Sequence, residues 1–163
     1  MGHPIFEEGK QMSYFRYSNK EITLQEANQA FQKVRDQIED LMYKLGDESN
    51  NLRSKPEDLD YEFMREQYRS LANKLEDIHR KIEYLSKSVV AQGYIRHNES
   101  KRYELPDGTY FTSGSSCEIL FNDTEYGEQY WVKTTIEHNG EDYYATALGR
   151  DVNINGMMVR VRK

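Results

Sequence analysis

Apolar or aromatic residues fall at Met64, Tyr68, Leu71, Leu75, Ile78, Ile82, Leu85 and Val89, at intervals that alternate four and three without a miss. Such alternation keeps one stripe of a helix facing the same way along its length, so the fold must supply something to cover that stripe. A second stripe of the same kind lies upstream, at Leu24, Ala27, Phe31, Val34, Ile38, Leu41 and Leu45. Thr23 with Glu26 three residues later is a capping box, and Gly46 stands where a helix end needs a left-handed residue. Between the stripes, Gly46, Asp47, Ser49, Asn50 and Asn51 are turn formers. Pro56 is expected in the first turn of the second helix, with Ser54 and Glu57 as a second capping box, and Asp58, Asp60 and Glu62 place negative charge at its positive end. That helix is predicted to run to about Ala91. The two helices would be roughly 33 Å and roughly 50 Å long. They should fold back as an antiparallel coiled-coil hairpin, with the first heptads of the long stripe covered by Leu24 to Leu45. The overhang near Ile82, Leu85 and Val89 would then be covered by residues 12–22 or left for another molecule, a second copy included.

Before the hairpin, Tyr14, Phe15 and Tyr17 surround Arg16, an aromatic group that would cap the hairpin or anchor a partner. From Tyr94 onward Gly, Asn and Asp punctuate short runs rich in Tyr, Thr, Val and Ile, which is the composition of strands and turns. Strands are predicted near 94–97, 102–105, 109–112, 116–121, 130–138, 142–148 and 157–162. Pro106-Asp107-Gly108 makes a tight turn, and Asn139-Gly140 is the strongest hairpin signal in the chain. Six or seven short antiparallel strands would close most economically into a small SH3-like barrel, because closure removes exposed edges. The expected class is α+β, divided into an N-terminal segment (1–22), a helical hairpin (23–92) and a small β-barrel domain (93–163).

The net charge of −6 is shared between the two parts, so neither carries the basic excess of a module that holds nucleic acid by its phosphates. An acidic balance keeps a protein soluble, and it also suits phosphate mimicry towards a basic partner. A single cysteine, Cys117, excludes an internal disulfide framework and fits a reducing compartment. No apolar run is long enough for a membrane span, and a cytoplasmic setting is expected.

From Tyr103 onward a set of short motifs recurs in one order: Tyr103-Glu104-Leu105, Asp107-Gly108, Thr112-Ser113-Gly114-Ser115, Glu118-Ile119, Trp131, Ile136-Glu137-His138, Tyr143-Tyr144, Gly156 and Val159-Arg160. In these residues the chain resembles a bacterial domain of unknown function found near the C-termini of small proteins on plasmids, conjugative elements and phages of Gram-positive hosts. The resemblance spans about 60 residues and brings no established activity or active site. It implies an accessory protein of a mobile element, a class in which many members act on host machinery.

Catalysis needs groups that converge, and candidates are thin. Cys117 lies in a strand-like run and reads as a buried structural thiol. His3, His79, His97 and His138 have no metal-site spacing, and Glu137 and His138, adjacent on a strand, should diverge. No enzymatic activity, cofactor or metal is therefore expected. Binding offers more. Arg160 and Arg162 share one face of the last strand, and with Lys133, Arg150, Arg96, Lys101 and Arg102, interleaved with Trp131, Tyr143 and Tyr144, they would suit a single nucleic-acid strand, or else form a solvated face balanced by Glu137, Glu141 and Asp142. Asp123, Glu125, Tyr126 and Glu128 form an acidic, aromatic loop suited to a basic protein groove. Tyr61 and Tyr84 sit off the helical stripe as interface anchors. The leading expectation is a non-enzymatic protein-binding accessory protein that docks on a host protein, such as a nuclease or ribonucleoprotein effector, as an inhibitor of a nucleic-acid-targeting defence complex of the CRISPR kind. Two alternatives stand beside it: an SH3-like nucleic-acid-binding adaptor in plasmid or transposon maintenance, and a self-associating structural protein, a homodimer through the hairpin.

Overall fold

The computed structural model of the protein describes residues 18–163, so the aromatic group at Tyr14, Phe15 and Tyr17 lies outside the described residues. Helix α1 spans Leu24–Leu45 and helix α2 spans Leu59–Ser86, joined by a 3-10 turn at Asp47–Ser49. The predicted capping box is complete: the Thr23 hydroxyl accepts from Glu26 N at 3.1 Å, and Thr23 N donates to the Glu26 carboxylate at 2.8 Å. Gly46 closes α1 at φ 74°, where a Cβ would meet the Asn51 side chain at 2.7 Å.

The second helix starts and stops inside its predicted limits. Asp58, not Ser54, is its N-cap, accepting from Tyr61 N at 3.0 Å. Ser54 instead donates to the Glu62 carboxylate across the approach to the helix, at 2.9 Å. At the far end the helix stops at Ser86, because β-branched Val89 and Val90 leave it to begin a strand. The last residue of the long stripe thus belongs to the sheet.

The helices fold back on each other, tied by His79 Nε2 and Glu39 Oε1 at 2.8 Å. The stripes, however, do not bury themselves in that contact. Ile38, Ala72 and Ile82 are buried, while Ala27, Leu45 and Leu75 of the stripes are half-buried, as are Arg35, Met42, Arg65, Arg69 and His79. On α1, Leu24, Phe31, Val34 and Leu41 stay exposed; on α2, Met64, Tyr68, Leu71, Ile78 and Leu85 do. The contact lies along one flank of both stripes, so the apolar residues of the two helices emerge together on one side. At the open end of the hairpin Ala27, Phe31, Ile78, Ile82 and Leu85 line one apolar groove of ≈ 530 Å³. A second groove, towards the loop end, mixes Glu39, Asn73, Glu76 and His79 with Met42 and Ala72.

Seven strands follow: β1 (Val89–Tyr94), β2 (Arg96–His97), β3 (Tyr103–Glu104), β4 (Ser115–Asp123), β5 (Glu128–His138), β6 (Tyr143–Ala145) and β7 (Met158–Arg162). Five form one antiparallel sheet in the order β1-β7-β4-β5-β6, and β2 pairs with β3 apart from it. The predicted barrel does not close. Strand β6 has three residues, and the predicted strand at 109–112 contributes one isolated bridge, Glu104 to Tyr110, which leaves too little backbone to join the edges. Side chains fill the open side instead. Ile95, Tyr103, Leu105, Phe111 and Ile154, from the small ribbon and the loops, pack with Cys117, Ile119, Ile136, Ala145 and Val159 of the sheet into one buried core. Gly93 permits this: a Cβ there would meet Pro106 Cδ at 2.6 Å, so glycine lets the Leu105–Pro106 turn lie against β1. Among the described residues no helix is long and apolar enough to cross a membrane.

Candidate functional site

Strands β4, β5 and β7 turn Cys117, Ile119, Thr134, Ile136, Val159 and Val161 towards the core. The two-residue period sends Glu118, Leu120, Trp131, Lys133, Arg160 and Arg162 to the other face. Register then puts Glu118 directly between Lys133 on β5 and Arg160 on β7. The Glu118 carboxylate is buried and accepts from Nε of both arginines, Arg160 and, at 2.8 Å, Arg162. Burial alone would raise the Glu118 pKa, but the two guanidinium groups hold it below the usual carboxylate value. Arg162 also donates to the Lys87 carbonyl at 2.9 Å, tying the last strand to the end of α2.

Aromatic rings flank this clamp. The Arg160 guanidinium lies 4.0 Å from the Trp131 ring centre, and Lys133 Nζ lies 3.7 Å from that of Tyr84. The Tyr84 hydroxyl is buried next to Glu118 without completing a hydrogen bond, and burial followed by the negative charge of Glu118 pushes its pKa up to about 12. Four predicted partner-binding residues, Tyr84, Trp131, Arg160 and Arg162, therefore meet at the junction of helix and sheet. They meet as a structural clamp in which two guanidinium groups share one buried carboxylate, with Lys133 beside them. Glu118, not Glu137, Glu141 or Asp142, is the carboxylate that pairs with the two arginines, and Lys133 of the predicted cations lies beside it. Arg102 stacks near Tyr110 and Arg150 near Tyr144, each 5.6 Å from the ring centre and away from the clamp.

The acidic residues form a distinct feature. Beyond Glu118 and Ile119, β4 has no partner except β5, and β5 pairs with β6 only from Ile136 to His138. The pairs Leu120 with Trp131 through Asp123 with Glu128 thus continue as a two-stranded ribbon past the rest of the sheet. At its tip the Asp123 carboxylate accepts from Glu125 N at 3.0 Å and Tyr126 N at 3.3 Å, which fixes the turn. Tyr126 is 72% exposed, Tyr130 is exposed below it, and among the described residues Asp123, Glu125 and Glu128 have no cation within ion-pair distance. Tyr143 belongs to neither group. It sits on edge strand β6, edge-on to His138 at 4.7 Å and packed against the core.

A third feature carries no sequence signal, because its members are far apart in the chain. His97 Nε2 and Asp142 Oδ1 are 2.9 Å apart, and the His97 ring stacks on Tyr103 at 4.1 Å, at the rim of a cleft of ≈ 260 Å³. Burial and then the charge of Asp142 push the Tyr103 pKa up to about 12. Glu137 accepts from Gly114 N while His138 Nδ1 accepts from Gly140 N, and burial raises the Cys117 thiol to about 12, so it is held protonated.

Residues 93–161 match the family model described as a domain of unknown function (DUF5348). No curated protein and no solved structure matches the chain. The DUF5348 region takes in the ribbon, the cleft, Glu118 and Arg160, and begins after Tyr84 and the helical hairpin.

Proposed function

We propose that this protein acts by binding another protein, and that the β4–β5 ribbon is the surface it presents. The observation that carries this reading is the projecting tip, in which Asp123, Glu125 and Glu128 flank the exposed Tyr126 along the chain and, among the described residues, have no cation within ion-pair distance. An aromatic side chain ringed by carboxylates suits a basic, partly apolar groove: the ring supplies a rigid anchor and the charges supply steering. A groove that ordinarily holds nucleic acid has that character, which supports the proposal of a mobile-element accessory protein, working in the cytoplasm, that blocks a host nuclease or ribonucleoprotein effector of the CRISPR kind. The nucleic-acid-adaptor alternative is less supported, since Arg160 and Arg162, the cations it would use, are only about one-fifth exposed and turn their Nε donors to Glu118.

The test compares the wild type with a variant carrying Glu125→Lys, Tyr126→Ala and Glu128→Lys. These positions are exposed, so the fold should keep its stability. The wild type should retain a nucleic-acid-binding protein from host lysate and inhibit its cleavage of DNA or RNA, and the variant should lose both. Equal retention by the two proteins would refute the ribbon as the contact surface. Salt-dependent binding of the wild type to bare DNA or RNA would favour the adaptor instead.

A further inference from the structure

The hairpin presents a complete apolar face and nothing in the chain from Ser18 onward covers it. Its two helices bury three residues, while the nine large side chains along the stripes are on average about half exposed. At roughly 180 Å² per side chain of this size, roughly 800 Å² of apolar surface lies on one side of a two-helix layer. The largest apolar patch on an ordinary monomer is about 300–600 Å². A standard interface buries about 800 Å² from each partner.

We infer that this face is the interface of a homodimer, in which two hairpins stack apolar face to apolar face about a twofold axis as a four-helix bundle. The shape of the face selects the occupant. It is two helices wide and follows a four-three pattern on both, from Leu24 to Leu41 and from Met64 to Leu85, so its cover must offer the same width and period. A second copy offers both, because in a twofold interface one patch is its own complement. A single strand or short segment would cover the groove between the helices and leave the outer halves of both stripes in water. The stripe residues left exposed on α2 recur from Met64 to Leu85 beside the two positions, Ala72 and Ile82, that the hairpin buries, and a bundle core gives that regularity a physical role. The dimer would present two β4–β5 ribbons, yet it does not depend on what those ribbons bind.

The test is the mass of the intact chain in solution, by light scattering or sedimentation at micromolar concentration. The expected value is twice 19.3 kDa. Leu71→Glu with Ile78→Glu places charge at the middle of the face, at positions 53% and 45% exposed in the single chain, and should lower the mass to 19.3 kDa while Trp131 fluorescence reports an intact sheet. If that variant precipitates, Leu24→Glu with Leu85→Glu repeats the measurement at more exposed positions. A wild-type mass of 19.3 kDa would overturn the inference and assign the face to residues before Ser18 or to a different protein. A dimer that survives both variants would overturn it by placing the contact elsewhere.

Discussion

Replacing Glu118 with glutamine should weaken the β domain more than any other single polar change in it. The carboxylate side chain is 6% exposed and holds two guanidinium groups that are themselves about one-fifth exposed, at 21% and 19%. Glutamine keeps the shape but offers one acceptor oxygen, and it turns an amide N–H towards the second arginine, donor against donor. Removing one partner of a buried ion pair costs about 3–5 kcal/mol, and the partial exposure of both arginines sets the expectation at the lower end, about 3 kcal/mol. For a chain of this length that lowers the melting midpoint by roughly 6–12 °C. Trp131, the single tryptophan, lies on Arg160 and reports unfolding at the site itself by fluorescence.

The pH dependence gives a second reading of the same reasoning. The folded-state pKa of Glu118 is lowered, so its contribution is present above the unfolded value of about 4.5 and is lost as pH falls through the folded value below it. The gap between wild type and Glu118→Gln should therefore be constant near neutrality and close as pH falls below about 4.5. A variant within about 0.5 kcal/mol of wild type at pH 7, the scatter of ordinary surface changes, would refute the account. So would a gap that persists unchanged in acid.

Two further substitutions separate packing from polarity at the positions where helix, turn and sheet meet. Gly93→Ala should destabilise by about 1–3 kcal/mol in chemical denaturation, because its methyl group would lie 2.6 Å from Pro106 Cδ and push the turn off β1. Tyr84→Phe should be neutral or stabilising in the same assay, since the hydroxyl it removes is buried without a partner, and a loss above about 1 kcal/mol would show that the hydroxyl is bonded after all.

Local chemistry was legible in the chain and non-local pairing was not. Thr23 and Glu26 act three residues apart and Gly46 acts on the turn it closes, and α1 falls at Leu24–Leu45, where those residues place it. The Asn139-Gly140 turn likewise joins β5 to β6 as expected, with four residues between the paired His138 and Tyr143. The projecting acidic loop could be recognised because its carboxylates and tyrosine are contiguous. Glu118 was not recognised as the key residue of the clamp. Within its own strand nothing marks it, and only the register of β4 against β7 brings it to Arg160 and Arg162, more than forty residues away. The His97–Asp142 pair was invisible for the same reason.

The sequence by itself determined that two long amphipathic helices precede a strand-rich segment, since hydrophobic period is a property of neighbours along the chain. It also determined that the arginines of the last strand share a face. Whether the sheet closes, which flank of each stripe the helices use, and whether those arginines are free depended on packing between distant segments. The sheet stays open because side chains of the small ribbon and loops fill its open side. The stripes stay largely exposed because only Ile38 and Ile82 of them are buried, with Ala72 and the half-buried arginines beside them. The arginines are held because β-register, set by the whole sheet, gives them a buried carboxylate in place of solvent.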